Sequence, residues 1–275
     1  MTHIDTSNVR RFFAFGCSFT DYCWHTWADI LAFHLAVPYY NHGKPAASNP
    51  YIAAQVAQMN LSEHFGPGDL VAIMWTDLTR QDLFDPEDCW RVTGNIHSSD
   101  LDASPYLIPF TKFPTEHFLM RDLTLFKHTQ DAVMATGAQC VFMSMNDPRK
   151  SASELTTDGE YSKVYHQITD LFRPVLNEIK TDFFKVVWKD DPEKIGKNVH
   201  PLFTDQHPSP LQHAQYINHW IPLSIPAWDY AHRKNDQLMS FLDLYGKRNG
   251  TCTSPIGNHM MPWLGRQQPS RQIWN

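Results

Sequence analysis

No run of eighteen apolar residues occurs in this chain, so no membrane-spanning helix is expected. Residues 1–11 lack the apolar stretch of a secretory leader, which predicts synthesis in the cytoplasm without a signal peptide. Cys17, Cys23, Cys89, Cys140 and Cys252 form no C-x-x-C pair and no zinc-ligand spacing. An odd, scattered set of this kind argues against a zinc ribbon or a closed disulfide framework and reads as reduced thiols. The net charge of −6 gives no electrostatic case for nucleic acid. The G-x-S-x-G elbow of α/β-hydrolases is missing, which argues against that fold. No internal repeat is present.

What remains is ample for a packed domain. The 275 residues are 42% hydrophobic and 19% charged, too apolar for disorder. The aromatic content suits a large core, with sugar-binding or partner surfaces as the other use. Short apolar runs alternate with helical periodicity. Strands are expected at Arg11–Gly16, Leu70–Trp75, Ala138–Ser144 and Phe183–Trp188. Helices are expected after Thr20 and Asp21 through Trp24, Trp27, Ile30, Leu31 and Leu35, then over Pro50–Leu61, Leu119–Thr136, Ser162–Lys180 and Tyr230–Leu244. Asn41–Pro45 reads as a turn. This alternation predicts an α/β fold with a doubly wound, mostly parallel sheet flanked by helices.

The expected α/β domain covers residues 1–245, with residues 82–118 as a lid-like insertion lacking sustained period. Residues 246–275 form an extended C-terminal arm that carries Lys247, Arg248, Arg266 and Arg271 and no acid. A basic, aromatic arm of this kind can dock a protein partner.

Two short constellations carry chemistry. Ser18 follows the first strand in Gly16-Cys17-Ser18-Phe19-Thr20, where open α/β sheets bind ligands beyond their strand ends. Gly16 can take a backbone conformation closed to other residues, allowing a tight turn that projects the serine, and a helix N-terminus there would favour an oxyanion. The competing reading is a helix-capping serine. Near the other end, Asp205 and His207 stand two apart, followed by Pro208, Ser209 and Pro210, which start a helix. A carboxylate so placed can accept the Nδ1–H of the imidazole and leave Nε2 to take a proton from a hydroxyl. The plain alternative is a surface pair that begins a helix, and Asp205, His207 and His213 as zinc ligands rank below the triad.

Together these residues resemble the SGNH (GDSL-like) hydrolases, specifically a GCSFT-type subgroup. The resemblance also draws on Asn41 to Asn49, similar to the family's N-x-x-x-x-G-x-S-N, on Met74-Trp75-Thr76-Asp77 with Arg80, and on Asp205-Gln206-His207-Pro208-Ser209 with His213 and Tyr216 behind it. It implies an SGNH/flavodoxin-like fold and a serine esterase with Ser18, His207 and Asp205 as triad. Two middle positions depart from the pattern. Ala46 stands where the family has an oxyanion-donating Gly, and Thr76 falls on or near the family's Asn, with Asn49 or Asn146 as stand-ins. Arg80 could bind an anionic substrate group, with an ordinary salt bridge as the plainer reading. The resemblance implies no cofactor and no metal. The expected substrate is a small acyl ester or an acetylated carbohydrate, with no nucleic acid and no membrane as partner. The alternative from a different class is a structural or receptor-binding component of a virion or surface assembly, built on the same scaffold and docked through the C-terminal arm.

Overall fold

A computed structural model describes residues 4–85, 89–96, 110–149, 163–180, 182–187, 200, 203–205, 207–249 and 252–253. Four strands, β1 (Arg11–Gly16), β2 (Tyr39–Gly43), β3 (Asp69–Trp75) and β6 (Gln139–Ser144), form one sheet in the order β2-β1-β3-β6. Every pairing in it is parallel. The helices between these strands are α1 (Trp27–Leu35), α2 (Asn49–Glu63) and α3 (Thr115–Met134). This is the expected α/β architecture. The centre of the sheet is dry: Phe12 to Phe15 and Leu70 to Trp75 are fully buried, as a parallel sheet covered on both faces requires. From β1 the chain winds outward to β2, then returns past β1 to β3. The carboxyl ends of β1 and β3 therefore flank the point where strand order reverses, the position at which open α/β sheets form a crevice.

Several elements differ from the reading of the sequence, each for a local reason. The first helix starts at Trp27, not after Thr20 and Asp21, because Thr26 and Asp29 make the capping box there. Asn41 to Gly43 belong to strand β2, and the turn begins one residue later. The run expected as a fourth strand is instead helix α6 (Phe183–Val187): Asp182 lies ahead of it, and its carboxylate accepts the Lys185 N–H at 2.8 Å. Pro174 divides the expected helix over 162–180 into α4 (Lys163–Leu171) and α5 (Arg173–Glu178), since proline supplies no N–H to continue the ladder. The stretch read as a lid contains an antiparallel hairpin, β4 (Arg80–Asp85) with β5 (Cys89–Asn95), and residues 97–109 of it lie outside the described residues.

Beyond the sheet, β7 (Phe203–Thr204) leads to α7 (Pro210–Asn218) and α8 (Ile225–Asn249). Helix α8 continues across the expected boundary at 245. After it, β8 (Cys252–Thr253) pairs parallel with β7, and residues 254–275 lie outside the described residues. No described helix is long and apolar enough to cross a membrane.

His42 shows what this core tolerates. Its ring stacks on Phe15 at 5.2 Å, and among the described residues neither ring nitrogen has a hydrogen-bond partner. Burial lowers its pKa to about 4. From pH 6.5 down to about 4 the unfolded chain therefore binds a proton that the folded chain refuses, and stability declines as pH falls through that window. Replacing His42 with Leu should stabilise the protein, by about 1–3 kcal/mol at pH 7 from removal of the unpaired imidazole. The gain should be about 2 kcal/mol larger at pH 5. Urea unfolding at the two pH values checks both numbers.

Candidate active site

The segment carrying Ser18 is a tight turn at the end of β1. The carbonyl of Cys17 accepts from the N–H groups of both Thr20, at 2.9 Å, and Asp21, at 3.0 Å. Gly16 is required here for space and not for a left-handed backbone: a Cβ on it would lie 2.1 Å from the Thr20 hydroxyl oxygen. Gly43 is crowded in the same way by Asp21. The turn thus seats on two strand ends that carry no side chain. Ser18 itself is 5% exposed. Because α1 begins only at Trp27, the helix N-terminus expected beside Ser18 is not there, and the segment from Asp21 to Thr26 runs as irregular chain.

That irregular chain reaches the other constellation. Asp205 follows β7 and is 2% exposed. Its Oδ1 accepts from the backbone N–H of His207 at 2.8 Å and lies 2.7 Å from Nδ1 of the same residue. The Tyr22 hydroxyl donates to Oδ2 at 2.5 Å. Burial alone would raise the pKa of Asp205. The hydrogen bond and charge of His207, with the Tyr22 hydroxyl, outweigh it and hold the carboxyl below its ordinary value. The His207 side chain keeps 29% exposure. Its ring stacks on Tyr22 with centroids 3.8 Å apart and meets Phe19, the residue after Ser18, edge-on at 5.8 Å. The Trp24 indole donates to the Pro208 carbonyl at 2.8 Å. Phe19, Tyr22 and Trp24 thus tie the segment after Ser18 to Asp205, His207 and Pro208.

Behind the pair, Ser209 caps α7 in a box with Gln212, and Pro210 occupies its first turn, as the sequence implied. His213 is fully buried on α7 against Phe19 and Phe183, and burial holds its pKa well below the ordinary value. Among the described residues no three His, Cys, Asp or Glu side chains converge in a metal-binding group.

The expected oxyanion and substrate residues line the same edge. Lys44 N–H donates to the Gly16 carbonyl at 3.0 Å, and Ala47 N–H closes a turn on the Lys44 carbonyl. Ala46 sits third in this turn with φ +65°, the position of a type II turn that favours glycine. Ala46 thus adopts the glycine-like backbone itself, at a strain of about 1–2 kcal/mol. Thr76 follows β3. Its hydroxyl is buried and, among the described residues, has no partner. Asn49 is occupied elsewhere: its amide accepts from the Thr76 N–H at 2.8 Å and donates to the Thr76 carbonyl and to Asp122. Asn146 donates to Asp77. With both amide hydrogens spent, Asn49 is a brace and not an oxyanion donor. Arg80 reaches the Ala47 carbonyl at 3.4 Å from the base of the hairpin.

The sequence reading missed Tyr22, Trp24 as an indole donor, and Asp122. For Asp122 a signal existed: it interrupts the apolar stripe of Phe118, Leu119, Leu123 and Phe126 at a core-facing position of α3. It is fully buried, and burial raises its pKa to about 6 against the opposing Arg121 and Asn49 bonds.

The chain matches no protein-family model and no curated protein. Among solved structures it is similar to a member of the lipolytic G-D-S-L family from Veillonella parvula DSM 2008, at 12% identity and TM-score 0.43, over 76% of this chain and 94% of that one. It is also similar to a catalytic mutant of an acetylxylan esterase from Geobacillus stearothermophilus, at 12% identity and TM-score 0.44, over 78% and 95%. Likeness this distant says nothing of the reaction.

Replacing Asn49 with Ala leaves the Thr76 N–H, the Thr76 carbonyl and the Asp122 carboxyl short of a partner in a dry site. The expected loss of stability is about 2–5 kcal/mol, read from the midpoint of chemical denaturation.

Proposed function

We propose that this protein is a serine esterase that removes acyl groups, most simply acetyl, from a carbohydrate or similar alcohol. One observation supports the reading above the others. His207 engages buried Asp205 through Nδ1 while its ring packs on Phe19, the residue after Ser18, and on Tyr22 of the segment that follows.

The chemistry follows from that arrangement. With Nδ1–H bound to the carboxylate, Nε2 is the basic nitrogen and can take the Ser18 proton as Oγ attacks the acyl carbonyl. Asp205, held ionised, stabilises the imidazolium that forms. His207 then returns the proton to the departing alcohol oxygen, leaving an acyl-serine. Water, deprotonated by His207 in turn, releases the carboxylic acid and regenerates Ser18. The oxyanion is assigned to the N–H groups of Ser18 and Ala46 and to the Thr76 hydroxyl. The Ala46 backbone already has the glycine-like angle of such a donor turn, and the Thr76 hydroxyl has no competing partner among the described residues.

With p-nitrophenyl acetate the wild-type protein should release a burst of nitrophenol, one equivalent per chain, and Ser18→Ala should abolish it. Equal rates in the two proteins would remove Ser18 from the mechanism. Thr76→Val, an isosteric change, should lower kcat about 100- to 1,000-fold as one oxyanion donor is lost, with stability unchanged or raised. Wild-type turnover in that variant would take Thr76 out of the oxyanion site.

A further inference from the structure

We infer that Tyr22 is a positioning residue for the acid–base pair: its hydroxyl fixes the second oxygen of Asp205 and its ring fixes the plane of His207. The inference rests on the esterase reading, since it assigns Tyr22 a part in that reaction.

The argument starts from rotational freedom. The terminal torsions of Asp and His are broad, unlike the staggered wells of aliphatic bonds. A carboxylate held through Oδ1 alone can swing about its Cβ–Cγ bond and carry the imidazole with it. In this structure Oδ1 serves the backbone N–H and Nδ1 of His207, while Oδ2 is held by the Tyr22 hydroxyl at 2.5 Å. Hydrogen bonds from opposite sides leave the carboxylate one orientation. The imidazole is restrained by a different contact with the same residue. Its plane lies 17° from that of Tyr22 at a centroid distance of 3.8 Å, while Phe19 and Trp24 meet it edge-on. Rotating the ring would break the stack and collide with one of the two edges.

Tyr22 is itself held firmly enough to transmit this restraint. It is buried in a cluster with Cys23, Trp24, Leu238 and Leu242, so α8 backs it from the far side. Its ring meets Trp24 at 85° and 4.6 Å. The hydroxyl distinguishes a positioning role from plain packing, since phenylalanine would fill the same space and supply no donor to Asp205.

The test uses the whole 275-residue chain with p-nitrophenyl acetate, comparing wild type, Tyr22→Phe, Val133→Ala and Ser18→Ala. Tyr22→Phe keeps the ring and removes one hydrogen bond to a charged group. It should lower kcat about 10- to 100-fold with KM within about twofold. The low-field Nδ1–H proton resonance of His207 should also shift or broaden, a readout that needs no turnover. Val133→Ala opens a cavity in the main core, in a cluster that contains none of Tyr22, Asp205 and His207. It should lower the melting temperature at least as much as Tyr22→Phe while keeping kcat within about threefold. If Tyr22→Phe turns over like wild type while Ser18→Ala is inert, the esterase reading stands and the inference falls. Equal kcat losses in Tyr22→Phe and Val133→Ala would likewise reduce Tyr22 to packing. Should Ser18→Ala retain full activity, the reading beneath the inference is what has failed, and the inference goes with it.

Discussion

The tie between residues 22–24 and residues 205–208 governs the geometry of the candidate site. Tyr22 to Trp24 are irregular chain, Asp205, His207 and Pro208 lie between β7 and α7, and among the described residues no strand ladder holds either stretch. Ordering such chain costs about 1–2 kcal/mol per residue. The Tyr22 bond to Asp205 returns about 1.5–3 kcal/mol and the Trp24 bond to Pro208 about 1. These bonds alone fall short of the cost. Burial of two large aromatic side chains against Leu238 and Leu242 of α8, at about 1.5–3 kcal/mol each, closes most of the gap. Helix α8 is therefore part of the site's support.

A second brace stands on the opposite flank. Asn49 at the start of α2 fastens both backbone groups of Thr76, and Asp122 of α3 fastens Asn49. Arg121 extends the network to Gln81 and to the carbonyls of Leu78 and Arg80. Burying Asp122 opposes its charge, which is why its pKa stands near 6. The network bears that cost and in exchange helps to fix the loop after β3. The two braces meet the sheet at neighbouring strand ends, β1 and β3, where the winding reverses.

Much of this was legible in residue order. The parallel sheet follows from apolar runs separated by helical periods, and the Asp-x-His-Pro-Ser segment announces its own helix cap. Gly16 was legible as a requirement, though the reason was misjudged: it makes room for Thr20 and does not supply an unusual backbone angle. What the sequence concealed depends on partners far along the chain. Trp24 falls at helical spacing with Trp27 and Ile30, and only the Pro208 carbonyl, reached through the fold, draws it into a loop. Phe183 to Val187 has the composition of a strand. Asp182 ahead of it and the burial of Phe183 against Phe19, His213 and Tyr216 make it a helix instead.

The distribution of unfavourable features adds a separate argument for where function lies. Orphaned buried donors occur in the body of this protein too, at His42 and at the indoles of Trp27 and Trp75, so an unpaired group alone marks nothing. Left-handed non-glycine angles likewise occur elsewhere, at Ala36 and His64, and the edge beyond the strand ends carries costs of both kinds. Ala46 holds a left-handed angle that glycine would hold without strain, and the hydroxyls of Thr20 and Thr76 are buried without partners among the described residues. Each would be relieved by one ordinary substitution. Each also lies where the chain leaves a strand for the loops around Ser18. On the proposed esterase reading, donors presented to a developing charge have to stay unspent, and the Ala46 turn and the Thr76 hydroxyl are such groups.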